Sequence, residues 1–218
     1  MRCRPFPLSV PRPSKRTALP SQGRRSIRTG VAMANEPMEN EQGTALAAID
    51  AAIRIIPDFP QPGILFRDIT PLLADPKAFA LAQALLLERA RSFSPDAIVA
   101  VEARGFLFGA PLALDLAVPL VPVRKPGKLP ADTHSVDYGL EYGTDRLEIH
   151  SDALARGARV LLVDDLLATG GTVRAAADLV ERLGADVVGA LFLIELTGLG
   201  GAERLAEAHI GVSALLRC

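Results

Sequence analysis

Two adjacent acids, Asp164 and Asp165, stand between the apolar run Val160-Leu161-Leu162-Val163 and the stretch Leu166-Leu167-Ala168-Thr169-Gly170-Gly171-Thr172. The apolar run is short and continuous, as a strand buried on both faces must be, and Thr172 to Leu183 reads as a helix ended by Gly184. In an open α/β sheet, ligands settle beyond the carboxyl ends of the strands, where these acids and glycines fall. The glycines let backbone N–H groups close around an oxyanion, and the helix start adds unpaired donors and its positive dipole end. Two carboxylates beside such a loop would repel a bare polyphosphate. They are good acceptors for vicinal hydroxyls, and they can hold Mg²⁺ directly or through water. Phosphate next to a diol describes a ribose phosphate. Glycine pairs and threonine caps also join ordinary strands to ordinary helices, so the neighbouring segments have to agree before the chemistry stands.

A second carboxyl edge repeats the pattern. Ala97 to Val101 is another buried strand, and Arg104-Gly105 follows it, a guanidinium fork suited to pyrophosphate beside a turn with free backbone donors. Phe106, Leu107 and Phe108 behind it read as core. Arg124 to Gly143, dense in Gly, Lys, Asp and Pro, shows no element of its own, and a loop of that length inside a compact domain is usually functional. Lys125 and Lys128 could neutralise a leaving pyrophosphate, and Gly127, Gly139 and Gly143 would permit closure that excludes water. No Gly-x-x-x-x-Gly-Lys occurs, and no Gly-x-Gly-x-x-Gly opens a helix after a strand, so triphosphate and dinucleotide readings recede. The three histidines, His134, His150 and His209, have no cysteine near them and form no metal-ligand pattern.

These residues need a scaffold of alternating strands and helices. Besides the segments above, Pro119 to Val123 and Val187 to Ile194 read as strands and Gly105 to Ala117 as a helix. Asp75-Pro76 opens a further helix to about Ser92 with an N-cap and a first-turn proline. Thr44 is placed to cap a helix carrying Ile49, Ile53 and Ile56, stopped by Pro57. The expected fold is α/β, a doubly wound, mostly parallel sheet with flanking helices and a small lid region.

Composition agrees. At 218 residues, 49% apolar and 22% charged, the chain suits one globular domain, taken as residues 40–218, and no uncharged apolar run is long enough to span a bilayer. Of the 24 basic residues eight fall in 1–32, where no acid occurs, leaving 16 against 25 acidic residues in the remainder. An acidic domain argues against a nucleic-acid surface spread over the fold. Residues 1–39, rich in Pro, Arg and Ser, lack apolar periodicity and are expected to be a disordered extension. A transit-peptide reading competes with that one, though four prolines would interrupt its helix, and Met33 and Met38 offer alternative starts. Two cysteines near opposite ends, Cys3 and Cys218, make no disulfide framework and fit a reducing cytoplasm.

The strand, acid pair and Ala-Thr-Gly-Gly-Thr loop resemble the phosphoribosyl pyrophosphate motif of type I phosphoribosyltransferases. Three further segments resemble the adenine-specific branch of that family: Pro57-Asp58-Phe59-Pro60 through Phe66-Arg67-Asp68-Ile69, Ala103 to Gly109, and Arg124 to Pro130 with Leu140-Glu141-Tyr142-Gly143. The likeness spans residues from about 50 to 200. It implies that Ala168, Thr169, Gly170, Gly171 and Thr172 bind the 5-phosphate, that Asp164 and Asp165 bind the ribose hydroxyls, and that the Arg104 segment binds pyrophosphate. It also implies that Glu141, with Tyr142 beside it, exchanges a proton with the purine. Phe66 and Leu196 would sandwich the base, while Arg67 would offer it main-chain hydrogen bonds. Mg²⁺ as cofactor and a homodimer come with the resemblance. Strand alternation would send the two acids to opposite faces unless the chain has begun to turn, which leaves open which of them lies closer to the ribose. The central motif alone also admits transfer to another base, such as guanine, xanthine or orotate, or a non-enzymatic sensor of phosphoribosyl pyrophosphate.

Overall fold

The computed structural model describes residues 36–140 and 143–218. The segment expected to be disordered lies outside the described residues up to position 35, and helix α1 (Glu36–Ala51) starts four residues inside it. In the compact unit that spans Pro37–Cys218, five strands make one parallel sheet in the order β4-β3-β7-β8-β9. These are β3 (Ala97–Val101), β4 (Leu120–Val123), β7 (Arg159–Leu167), β8 (Asp186–Glu195) and β9 (Val212–Arg217). Two antiparallel hairpins stand apart from the sheet, β1 (Arg54–Pro57) with β2 (Leu65–Asp68), and β5 (Thr133–Leu140) with β6 (Gly143–His150).

Side-chain alternation along the central strands divides the core into two layers, as a sheet covered on both faces requires. Val99, Val101, Val160 and Leu162 face one cluster with α5 (Gly171–Arg182), whose Val173, Ala176, Ala177 and Val180 are buried there. Ile98, Leu161 and Val163 face the other, formed with α1, α2 (Thr70–Ala74), α3 (Pro76–Phe93) and α4 (Gly105–Leu116). Asp75 caps α3 as its sequence predicts, its carboxylate accepting from the Lys77 N–H at 2.9 Å and the Ala78 N–H at 3.3 Å. The doubly wound parallel expectation is met. A short 3₁₀ turn (Thr197–Leu199) and α6 (Gly201–Glu207) link β8 to β9.

Three expectations need correction. The first helix stops at Ala51, and Ile55 and Ile56 pair with Arg67 and Phe66 in the β1–β2 hairpin. Helical spacing of Ile49, Ile53 and Ile56 was accidental there, because β-branched neighbours followed by proline favour extended backbone. Thr44 consequently sits within α1 rather than at its N-cap. The stretch Arg124 to Gly143 is not without elements either, since Thr133–Leu140 is a strand in register with Gly143–His150. Among the described residues only Val136 from β5 and Leu147 and Ile149 from β6 are buried in the core, with Tyr138 packed against it, too few apolar positions to show a period of two against polar neighbours. Finally, β7 continues past Val163 to Leu167, its pairing with β8 running on to Leu167 opposite Glu195.

Candidate active site

Beyond the carboxyl ends of β3 and β7 lies a cleft of about 410 Å³. Its floor is Asp164 and Asp165, one end is the turn Ala168 to Thr172 with the start of α5, and its walls bring in Glu102, Ala103, Arg104, Lys125 and Tyr138. All four of the acids and cations at 104, 125, 164 and 165 that sequence singled out therefore share one space.

The turn offers the features an anion would use. Gly170 adopts φ 78°, a left-handed conformation that a side chain would strain, and it precedes α5 without any side-chain cap. Among the described residues no side chain caps the start of α5, and the helix dipole adds its positive end. α6 braces the turn from behind, for a Cβ on Gly201 would overlap the Ala168 carbonyl oxygen and a Cβ on Gly170 would meet the Gly201 carbonyl oxygen at 3.0 Å. Arg174, the cation within the first turn, is engaged by Asp178 and Glu181.

Because β7 runs through both acids, they keep the alternation of the strand, yet both line the cleft, which lies beyond the sheet edge. Asp165 is buried, at 4% exposure, and its Oδ2 lies 2.5 Å from Arg104 Nε. Asp164 Oδ1 accepts the Asp165 N–H at 2.9 Å. Enclosure by protein, and after it the like charge of Asp165, push the Asp164 carboxyl well above the ordinary aspartate range, with the Arg104 charge opposing weakly. Such a group gains by meeting a cation or a hydroxyl donor. Among the described residues no three His, Cys, Asp or Glu side chains come together as a metal cluster. Two neighbouring carboxylates do match what Mg²⁺ asks of a protein when a substrate's phosphates and water complete its octahedron.

Glu102 had no assigned role from sequence, although it follows β3 at the same edge as Arg104. Its carboxylate accepts from Arg124 Nε and Nη2, each at 3.2 Å, and from the Lys125 N–H at 3.0 Å. Burial alone would raise this carboxyl, but the Lys125 N–H and Arg124 hold it below the ordinary value. Arg124 in turn pairs its backbone with Glu148 of β6 in both directions, at 2.9 and 2.8 Å, which ties the β5–β6 hairpin to the sheet. Tyr138 was also overlooked, because a loop assignment gives no facing. On β5 it points to the turn, its hydroxyl 3.5 Å from the Thr172 hydroxyl.

Other expected residues stand outside the lining of the cleft. Phe66 is half-buried on β2, edge-on to Phe59 with ring centroids 5.0 Å apart, and the Arg104 guanidinium lies 5.9 Å from its centroid. Leu196 packs against the second core layer just past the end of β8, and its N–H donates to the Leu167 carbonyl at 2.9 Å, which sets it beside the end of the acid-bearing strand β7. The Arg67 side chain borders a separate hollow with Asp50 and Arg217. Lys128 is exposed, its carbonyl accepting from Arg124 Nη1 at 3.2 Å. Glu141 and Tyr142 lie outside the described residues.

The model of the phosphoribosyl transferase domain matches residues 68–207. An adenine phosphoribosyltransferase of Synechococcus sp. is 60% identical over 158 residues, 72% of this chain and 92% of that protein. One of Shewanella loihica is 55% identical over 173 residues, 79% of this chain and 94% of that protein. Among solved structures, the adenine phosphoribosyltransferase of Thermoanaerobacter pseudethanolicus superposes with a TM-score of 0.77 at 55% identity, covering 79% of this chain and 99% of that one. The Saccharomyces cerevisiae enzyme, solved with an imino-altritol bisphosphate and adenine, gives 0.74 at 40% identity, covering 80% and 99%. With its cleft, its acid pair and its glycine turn on this sheet, the chain belongs to the type I phosphoribosyltransferase family, in the adenine phosphoribosyltransferase branch.

Proposed function

We infer that the chain transfers the 5-phosphoribosyl group of phosphoribosyl pyrophosphate to adenine, forming AMP and pyrophosphate, a purine-salvage reaction. One observation carries the reading: a capless helix start, two carboxylates and two cations converge on a single cleft at the carboxyl edge of a parallel sheet. In this reading the Ala168 to Thr172 turn takes the 5-phosphate and the acids take the ribose diol. Among the described residues Asp164 is the acid without a cation in direct contact, so it is the one we assign to the closer ribose contact.

The C1–pyrophosphate bond breaks ahead of attack by the adenine ring nitrogen, leaving positive charge on the ribose and negative charge on the leaving group. Asp164 and Asp165 stabilise the first, Arg104 and Lys125 the second, in a site where water is displaced and charges interact strongly. Lys128 adds charge from the same segment. When bound, Mg²⁺ neutralises the pyrophosphate oxygens, and the two aspartates would hold it, directly or through water. Glu141, with Tyr142 beside it, handles the purine proton, and Phe66 and Leu196 enclose the base, whose edge is read by the Arg67 backbone. Supporting these base-side roles are the family resemblance and the proximity of Phe66 to Arg104.

Two copies of the chain act together in this reading, as the family resemblance implies. A cytoplasmic location fits the cysteine pattern. The deciding experiment incubates the protein with radiolabelled adenine, phosphoribosyl pyrophosphate and Mg²⁺ and looks for AMP. Labelled AMP at a rate lowered tenfold or more in both Asp164→Asn and Asp165→Asn supports the reading. Guanine or orotate outcompeting adenine, or tight phosphoribosyl pyrophosphate binding without product, defeats it.

A further inference from the structure

Lys125 follows β4 and lines the cleft, where among the described residues the β5–β6 hairpin supplies the two side-chain partners of its ammonium. Nζ bonds the Asp145 carboxylate and donates to the Tyr138 hydroxyl at 3.1 Å. Tyr138 and Asp145 are opposite one another in the hairpin register, and the Tyr138 hydroxyl reaches Asp145 Oδ2 at 3.1 Å. The same tyrosine stands 3.5 Å from the Thr172 hydroxyl, so the cluster bridges the hairpin and the phosphate turn. From the other side, the Lys125 backbone is held by Glu102.

An ammonium has three donors, and Asp145 and Tyr138 occupy two, which leaves one for a ligand in the cleft. A free lysine side chain loses much rotamer freedom when it grips a ligand, whereas one already pinned on two sides has lost it beforehand. The pinning also keeps the charge in place. Burial alone would depress the Lys125 ammonium, but its bonds to Asp145 and Tyr138 raise it above the ordinary lysine value. Neighbouring acids on the hairpin are committed elsewhere, Asp137 to Arg146 at 2.6 Å and Glu148 to the Gly127 N–H at 3.1 Å.

We propose that Asp145, seconded by Tyr138, is a positioning residue that holds the Lys125 ammonium at the cleft so that it meets phosphoribosyl pyrophosphate already oriented. The inference rests on Lys125 as a pyrophosphate-binding group. It makes the hairpin more than a cover, because the charge that receives the leaving group is aimed from β5 and β6.

The test measures binding of phosphoribosyl pyrophosphate with Mg²⁺ by titration calorimetry, and KM and kcat for each substrate, in Asp145→Asn, Tyr138→Phe, Lys125→Met and the double variant Asp145→Asn/Lys125→Met. Asp145→Asn is expected to raise Kd and KM for phosphoribosyl pyrophosphate about fivefold, the scale of one re-mobilised long side chain, with KM for adenine within about twofold of the parent. Lys125→Met should weaken the same binding, and adding Asp145→Asn to it should weaken it no further, because the positioned group is gone. Tyr138→Phe should give a smaller rise of about threefold, also erased by Lys125→Met, and serves if Asp145→Asn does not fold. Asp137→Asn, on the neighbouring exposed ion pair, should leave Kd unchanged. Unchanged or tighter binding in Asp145→Asn, an equal loss with and without Lys125, or the same loss in Asp137→Asn overturns the proposal. If Lys125→Met binds as tightly as the parent, the role of Lys125 falls and this inference with it. If Lys125→Met is weak while Asp145→Asn is normal, this inference alone falls.

Discussion

Replacing Gly105 by alanine asks how closely α4 must approach the acid-bearing strand. A Cβ there would stand 2.7 Å from the Val163 carbonyl oxygen, 3.0 Å from Asp164 Oδ1 and 3.2 Å from Asp164 Cα. Ordinary contact begins at 3.4 Å, so the helix start or the strand must give by 0.7 Å, the difference between 3.4 and 2.7 Å. Alanine would gain about 0.5–1 kcal/mol in helix propensity over glycine. Overpacking costs about 1–3 kcal/mol, so the net effect is destabilising. Gly109 supplies the control, because its Cβ would also meet a neighbour at 2.7 Å, but that neighbour is the Ala100 side chain on β3, away from the acids. Both variants should lose stability of about 1–2 kcal/mol, a fall in Tm of roughly 2–8 °C. Only Gly105→Ala should lose kcat/KM, by roughly ten- to a hundredfold, since a shift near 1 Å between Arg104 and Asp164 spoils the alignment of charges with the reacting bond. Thermal denaturation and steady-state AMP formation would be measured side by side for the two proteins. Equal activity losses in both, or a Gly105→Ala enzyme within threefold of the parent, would refute the idea that this close approach sets the geometry of the acids.

The raised carboxyl of Asp164 implies a cost to the fold that function retains. A folded-state value above the unfolded one means that the proton is held more tightly in the native protein, and stability falls as pH rises through the raised value. Asp164→Asn should therefore melt higher than the parent by about 2–4 °C at about pH 8, with the gap closing toward about pH 4, even as its turnover drops. A gap that is constant with pH, in differential scanning calorimetry, contradicts the cause assigned. Away from the site, Asp75→Ala removes both side-chain bonds to the α3 start and should cost about 1 kcal/mol by urea denaturation with no change in KM.

Much of the site could be read along the chain because its groups are local to single strand ends. Asp164, Asp165 and the Gly170-Gly171 turn follow one strand and start one helix, and Arg104 repeats the arrangement one strand over, so buried apolar runs of known length were enough to place them at a common edge. The strand boundaries were less legible. β7 reads as ending at Val163, where apolar residues stop, whereas hydrogen bonding to β8 carries it through the acids to Leu167. Apolarity reports burial, and the sheet continues into the polar cleft.

What sequence alone determined is the class of fold and the strand, acid pair and glycine turn at its edge, since strand length, glycine conformational freedom and the acid pair act over a few neighbouring residues. Which residues surround that turn was decided only in three dimensions. Glu102 steadies Lys125, Tyr138 leans on Thr172, and Gly201 backs Ala168 from thirty-three positions further along, as side-chain and backbone contacts between elements bring them together. The β5–β6 hairpin shows the reason. Its strand character comes from pairing between residues such as Val136 and Leu147, a partner eleven positions away, and no local periodicity records a partner that the chain must turn back to find.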